Sequence, residues 1–292
     1  MSPAKAAITA LFLLAACGSA PAQGPDQRPA LIPLDLSGPR PTAKLSLGGG
    51  APVTAIFDSG AAASVVMIGF ARAIGLPDEG KANASGPGGV PVEGFRTSIA
   101  GTLGAARFGP ALAVALDLPM PLPGVSAVIS PSVFAGRLVR FDFKAGNAKV
   151  LASNASNLPR EPGLPYSGGG FSLMTVSRVP TALLGLPGGR TIVADVDTGY
   201  DGGIELPLAL AGSLPLHGPL VPGRPARMVG LTRPTFNARL NGRLSIGPIA
   251  LADPDLTFVD GGSAPAKVGM RVLKDMVLVL DPGNSRSWIV KA

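Results

Sequence analysis

The chain repeats itself at a fixed offset of 139 residues, and that repeat limits the folds open to it more than any other feature. Residues 41–60, PTAKLSLGGGAPVTAIFDSG, align without a gap on residues 180–199, PTALLGLPGGRTIVADVDTG, with ten of the twenty positions identical. Asp58 falls on Asp197 and Gly60 on Gly199, while Ser59 faces Thr198, a hydroxyl for a hydroxyl. The offset returns near the end of each half. There Val128-Ile129-Ser130 meets Lys267-Val268-Gly269, Val133-Phe134 meets Val272-Leu273, and Phe141-Asp142 meets Leu280-Asp281. A match kept at both ends of so long a span implies two copies of one supersecondary plan.

Each copy reads as β structure. Leu45 and Leu47 alternate as on a strand, Gly48-Gly49-Gly50 turns the chain, and Val53 to Phe57 returns it to deliver Asp58 into a tight loop. Leu184 to Leu186, Pro187-Gly188-Gly189 and Ile192 to Val196 repeat the plan and deliver Asp197. Ala71 to Gly75 predicts a short helical turn, and Leu138 to Phe143 and Met276 to Leu280 read as strands. The 40 glycines and 31 prolines lie between apolar runs, so they punctuate many short strands. The expectation is an all-β chain of two related β-rich lobes, residues 30–151 and 171–292, with approximate twofold symmetry. The Gly- and Pro-rich residues 152–170 link them.

Residue counts narrow the chemistry. One cysteine, Cys17, excludes an intramolecular disulfide, and one histidine, His217, sits in a Pro- and Leu-rich loop. Metal sites usually draw on several His or Cys ligands, and no nucleophile-elbow motif supports a Ser-His-Asp site. The expectation is therefore no metal, with any catalysis resting on carboxylates. The net charge is +7, and Arg224, Arg227, Arg233, Arg239 and Arg243 follow one another with no acidic residue between them. That run reads either as a solvated face or as a surface for acidic substrate or anionic headgroups. With aromatics at 5% and no recognisable nucleic-acid module, nucleic acid is not an expected partner.

The N-terminus reads as an export signal. Met1 to Lys5 carries one positive charge, and Ala6 to Ala16 is apolar but too short to span a bilayer. Leu14-Ala15-Ala16-Cys17 resembles the bacterial lipobox, which implies cleavage before Cys17 and lipidation of its thiol. Residues 1–16 are then a lipoprotein-type signal peptide and 17–29 a tether. Ala20-Pro21-Ala22 offers the alternative of a plain secretory cut. Either way the mature chain is expected in the cell envelope, periplasmic or at the outer surface, touching membrane through a lipid anchor only, or else secreted and soluble.

Asp58-Ser59-Gly60 and Asp197-Thr198-Gly199 each follow an extended segment, and together they resemble the paired motifs of aspartic peptidases. Half length places the resemblance nearer the retropepsin-like than the pepsin-like branch, with both copies fused in one chain. It covers about residue 32 to 292. A lone Asp-Thr-Gly is weak, since Asp and Gly are common turn residues; two in register within a repeat are strong. The resemblance implies an aspartic endopeptidase, a hydrolase acting on peptide or protein without a cofactor, with Asp58 and Asp197 as catalytic residues and a monomer completing one site. It also implies that Ser59 and Thr198 reach across to the opposite loop while Gly60 and Gly199 keep side chains out of the axis. In that family two facing carboxylates share a proton, because like charges so close cannot both ionise easily, and they activate a water between them.

Further positions follow from the same resemblance. Asp201 stands where retropepsins carry an acid that contacts substrate backbone; the alternative is a turn or capping aspartate. Tyr200 replaces a usually small residue and is expected to narrow a pocket. Gly86, Gly88 and Gly89 fall where a flap over the cleft is expected, though an ordinary hairpin turn fits too. Its counterpart lies around Val229-Gly230. Val268-Gly269 fits the apolar-Gly segment beside the catalytic loop, whereas Ser130 and Lys267 depart from it. Asp195 interrupts an otherwise apolar strand with no evident reason. A non-catalytic peptide-binding envelope lipoprotein of the same fold is the alternative reading.

Overall fold

Short apolar runs that alternate in burial, separated by Gly and Pro turns, make this chain a set of strands. Thr42–Leu47, for example, buries Ala43, Leu45 and Leu47 and turns Lys44 outward. The computed structural model describes residues 28–82, 84–85, 91–118, 123–168, 178–228, 231–261 and 265–292. Among the described residues strands take up 51% and helix 10%, so the protein is all-β. The signal peptide 1–16, Cys17, most of the tether, and the flap positions Gly86, Gly88, Gly89 and Val229-Gly230 lie outside the described residues.

The first half closes as a barrel. Its strands run in the order Thr42–Leu47, Val53–Phe57, Val125–Ile129, Ser64–Met67, Ala106–Leu116 and Gly94–Leu103, and Gly94–Leu103 pairs back onto the first through Leu45↔Leu103. The second half instead spreads its strands through a nine-stranded sheet, in which Thr181–Gly185, Thr191–Val196, Ala266–Val268 and Ile204–Pro207 are consecutive neighbours. The helical turn expected at Ala71 to Gly75 overlaps the helix Ile68–Ala73, which begins three residues earlier and is capped at Ile74.

A third, six-stranded sheet belongs to both halves. Arg137–Asp142 and Asn147–Ala152 form one hairpin, Met276–Asp281 and Arg286–Lys291 another, and all four strand bounds repeat at the 139-residue offset. The hairpins join through antiparallel pairing of Val139 with Leu280 and Phe141 with Leu278. Ala30–Pro33 extends one edge against Asn147–Ala152. At the other edge the segment expected as linker contributes a strand of its own. Leu164–Pro165 pairs with Ser287 and Arg286, and the Trp288 indole donates to the Glu161 carbonyl at 2.7 Å. One contiguous apolar core runs from Ile32 to Ile289 through both halves. Phe57, directly before Asp58, sits in it against Phe134 and Phe141 at ring-centroid distances of 6.2 and 4.7 Å.

Candidate active site

Two strands end side by side, and each carries an aspartate at its tip. Val53–Phe57 lies parallel to Val125–Ile129, and the Asp58 amide donates to the Ile129 carbonyl at 2.9 Å. Thr191–Val196 lies parallel to Ala266–Val268, and the Asp197 amide donates to the Val268 carbonyl at 3.0 Å. Phe57 N bonds Pro41 O at 3.0 Å and Val196 N bonds Pro180 O at 2.8 Å, so the two approaches are built alike.

Ser59 and Thr198, both buried, tie the loops together reciprocally. Ser59 N donates to Thr198 Oγ1 at 2.9 Å and Thr198 N to Ser59 Oγ at 3.0 Å. Each hydroxyl then donates across: Ser59 Oγ to Val196 O at 2.7 Å and Thr198 Oγ1 to Phe57 O at 2.8 Å. This closed ring of four bonds satisfies both hydroxyls inside the protein, where an unpaired one would be costly.

The ring sets each glycine against the opposite carboxylate. A Cβ on Gly60 would collide with the Asp197 carboxylate, and one on Gly199 with that of Asp58. Close approach explains both glycines; neither adopts a positive φ. Asp58 Oδ1 accepts from Gly60 N at 2.8 Å and Gly199 N at 3.0 Å. Burial, and next the charge of Asp197, push the Asp58 carboxyl up to about 7 against the opposing pull of those two amides and of Lys267.

The surroundings of the two aspartates differ. Lys267 Nζ lies 3.4 Å from Asp197 Oδ2 and 5.7 Å from the centre of the Tyr200 ring. Asp195, unexplained in the sequence, is buried opposite Lys267 in the parallel register, and Glu205 is opposite it in the antiparallel one. Burial raises the Asp195 carboxyl to about 6 and raises that of Glu205, each against the pull of Lys267. Burial alone would lower the Lys267 ammonium, but Asp197, Glu205 and Asp195 together raise it. Ile56, Val128 and Val66 hold the matching positions in the first half, so the cluster has no counterpart beside Asp58.

Tyr200 packs inward over Gly202 and Gly269, where it leaves no room for a Cβ on Gly269. The first half pairs the other way: Ala61 is small, and Ser130 carries a side chain. The Ser130 hydroxyl accepts from Ser132 N at 3.2 Å and caps the short 3-10 turn Pro131–Phe134. The departure from glycine at 130 is thus matched by a smaller neighbour.

Asp201 pairs with Arg40 at 3.5 Å, and Arg40 also donates to the Gly199 carbonyl, so the first half braces the second-half loop. Ala62 and Val179 occupy the matching places on the other side and cannot form that pair. A cavity of about 110 Å³ opens there beside Ala61, Ala62, Ser130 and Pro180. His217 is half exposed and 3.7 Å from Asp253, on the segment bridged to Leu240. Among the described residues no group of three or more His, Cys, Asp or Glu side chains is placed to hold a metal ion. No helix among them is long and apolar enough to cross a membrane. No protein-family model matches the chain, and no curated protein matches it.

Proposed function

We propose that the chain is an aspartic-type endopeptidase whose two β-rich lobes, related by an approximate twofold axis, each supply one catalytic carboxylate. The observation that carries this reading is the reciprocal Ser59–Thr198 ring, which holds Asp58 and Asp197 at equivalent strand tips facing each other's glycine. A water between the carboxylates loses a proton to the ionised one as its oxygen attacks the scissile carbonyl. The protonated partner hydrogen-bonds the carbonyl oxygen and stabilises the developing oxyanion. The proton then passes to the leaving amine as the C–N bond breaks. The substrate is peptide or protein, and one chain completes one site as a monomer. The lipobox-like Leu14 to Cys17 supports a location in the cell envelope, with the enzyme anchored by lipid on Cys17.

A peptide-binding protein without turnover is the second reading, and the ion pair of Lys267 with Asp197 favours it, because a cation there competes with water for the carboxylate. Mass spectrometry of a mixed peptide library incubated with the mature chain separates the two. Cleavage that pepstatin blocks, and that Asp58→Asn and Asp197→Asn each reduce at least about a thousandfold, is the expected result. Retention of peptides without any cut favours the binding protein. Near wild-type turnover in either Asn variant rejects the dyad.

A further inference from the structure

We propose that Lys267 is a positioning residue that makes the two aspartates unequal: it holds Asp197 as the carboxylate that takes the proton from water, and leaves the shared proton on Asp58, which faces the substrate carbonyl. The proposal rests on the peptidase reading for the meaning of these roles, but the proton placement stands on geometry.

A symmetric pair of carboxylates has no preferred site for its proton, since either can ionise at the same cost. Here the second half places a single ammonium 3.4 Å from Asp197 Oδ2, with one quarter of the lysine side chain exposed. At the matching point of the first half stands Val128. An opposite charge at that range favours the ionised form of the group it touches. Among the described residues Asp58 accepts hydrogen bonds from the Gly60 and Gly199 amides, dipoles against a full charge, and the charge of Lys267 reaches it without an ion pair.

Every ionisable group around Lys267 belongs to the same device. Asp195 faces it from Thr191–Val196, Glu205 from Ile204–Pro207, and Asp197 and the Tyr200 ring from the catalytic loop. Asp58 lies across the axis, and Arg233 acts on Glu205. Asp195 and Glu205, buried at 4% and 9% exposure, hold the ammonium in a site that would otherwise disfavour it. Their first-half counterparts, Ile56 and Val66, are apolar, so the whole trio has been placed on one side only. The direction for Asp58, raised to about 7 by burial and by the charge of Asp197, agrees with its being the protonated member.

The test uses the mature chain with ¹³C-labelled aspartate carboxyls, assigned through Asp58→Asn and Asp197→Asn, and follows them by NMR against pH. In the wild type the two carboxyls are expected to change in separate steps, the Asp58 step near pH 7. Lys267→Met is expected to merge the two transitions into shared steps, and Lys267→Arg to keep them apart. Should Lys267→Met fold poorly, the triple variant Asp195→Ile/Lys267→Val/Glu205→Val installs the apolar set already carried by the first half and is expected to merge them equally. In parallel, the acid limb of kcat on a cleavable peptide should move up by about one pH unit or more in Lys267→Met. Unchanged order and separation of the transitions without the lysine, or Asp58 ionising first, overturns the proposal even if peptides are cut. If no peptide is cut by any form yet the transitions merge, the peptidase reading falls and the proton placement stands.

Discussion

At Asp58 the environment opposes ionisation: burial and the facing Asp197 outweigh two amide donors and bring the carboxyl to about 7. The consequence for stability has a definite sign. In the unfolded chain an aspartate titrates near ~4. Between that value and about 7 the folded state binds the proton more tightly, so folding is favoured below the unfolded value and that contribution is lost as pH rises through the folded one. Asp195, raised to about 6, adds to the same trend. Asp58→Asn removes the titration. It is expected to match or exceed the wild type in stability at pH 8, by roughly 1–3 kcal/mol, with the advantage shrinking towards pH 4. Chemical denaturation at several pH values measures this, and a wild type that gains stability from pH 5 to pH 8 while Asp58→Asn does not would contradict it.

Among the elements, the two aspartate-bearing loops form one structural unit although they lie far apart in the chain. Ser59→Ala and Thr198→Ala each delete a buried hydroxyl and leave a carbonyl and an amide without that partner. Each is expected to lower stability by about 1–3 kcal/mol. Because both hydroxyls serve one ring, the double variant should fall short of the sum by about 1 kcal/mol or more, which a double-mutant cycle measures; strict additivity would mean the ring does not act as a unit. The loops themselves are legible in the sequence, because a repeat with Asp, a hydroxyl and Gly in register fixes which residues do equivalent work. The strands Val53–Phe57 and Met276–Asp281 are legible for a similar reason, as apolar runs bounded by turns. The role of Asp195 is not. Its partner Lys267 lies on a strand brought alongside by parallel pairing, and no local pattern records that register. Likewise Ser130 and Gly269 look inconsistent until Ala61 and Tyr200 are seen beside them. The segment 152–170 reads as linker from its Gly and Pro, yet Leu164–Pro165 finds a sheet edge, because an unpaired edge accepts any extended backbone that reaches it.

For the whole molecule, the sheet shared by Arg137–Asp142 and Met276–Asp281 makes the two halves fold as one body with a common core. A single cooperative unfolding transition is expected, and if the proposed peptidase reading holds, light scattering of residues 28–292 should find full activity in the monomer. Activity confined to a dimer would contradict the reading that one chain supplies both aspartates. The same shared sheet also changes what can evolve at the site. When two identical subunits meet, each substitution appears on both sides of the axis at once, and a lysine that helps one carboxylate burdens the other. Joining the halves in one chain removes that constraint: Lys267 stands at the position equivalent to Val128, Tyr200 to that of Ala61, and Arg40 to that of Val179, each difference present on one side alone. Joining also makes assembly of the pair a first-order event, so dilution leaves the pair complete, and a ligand that separates subunits has nothing to separate.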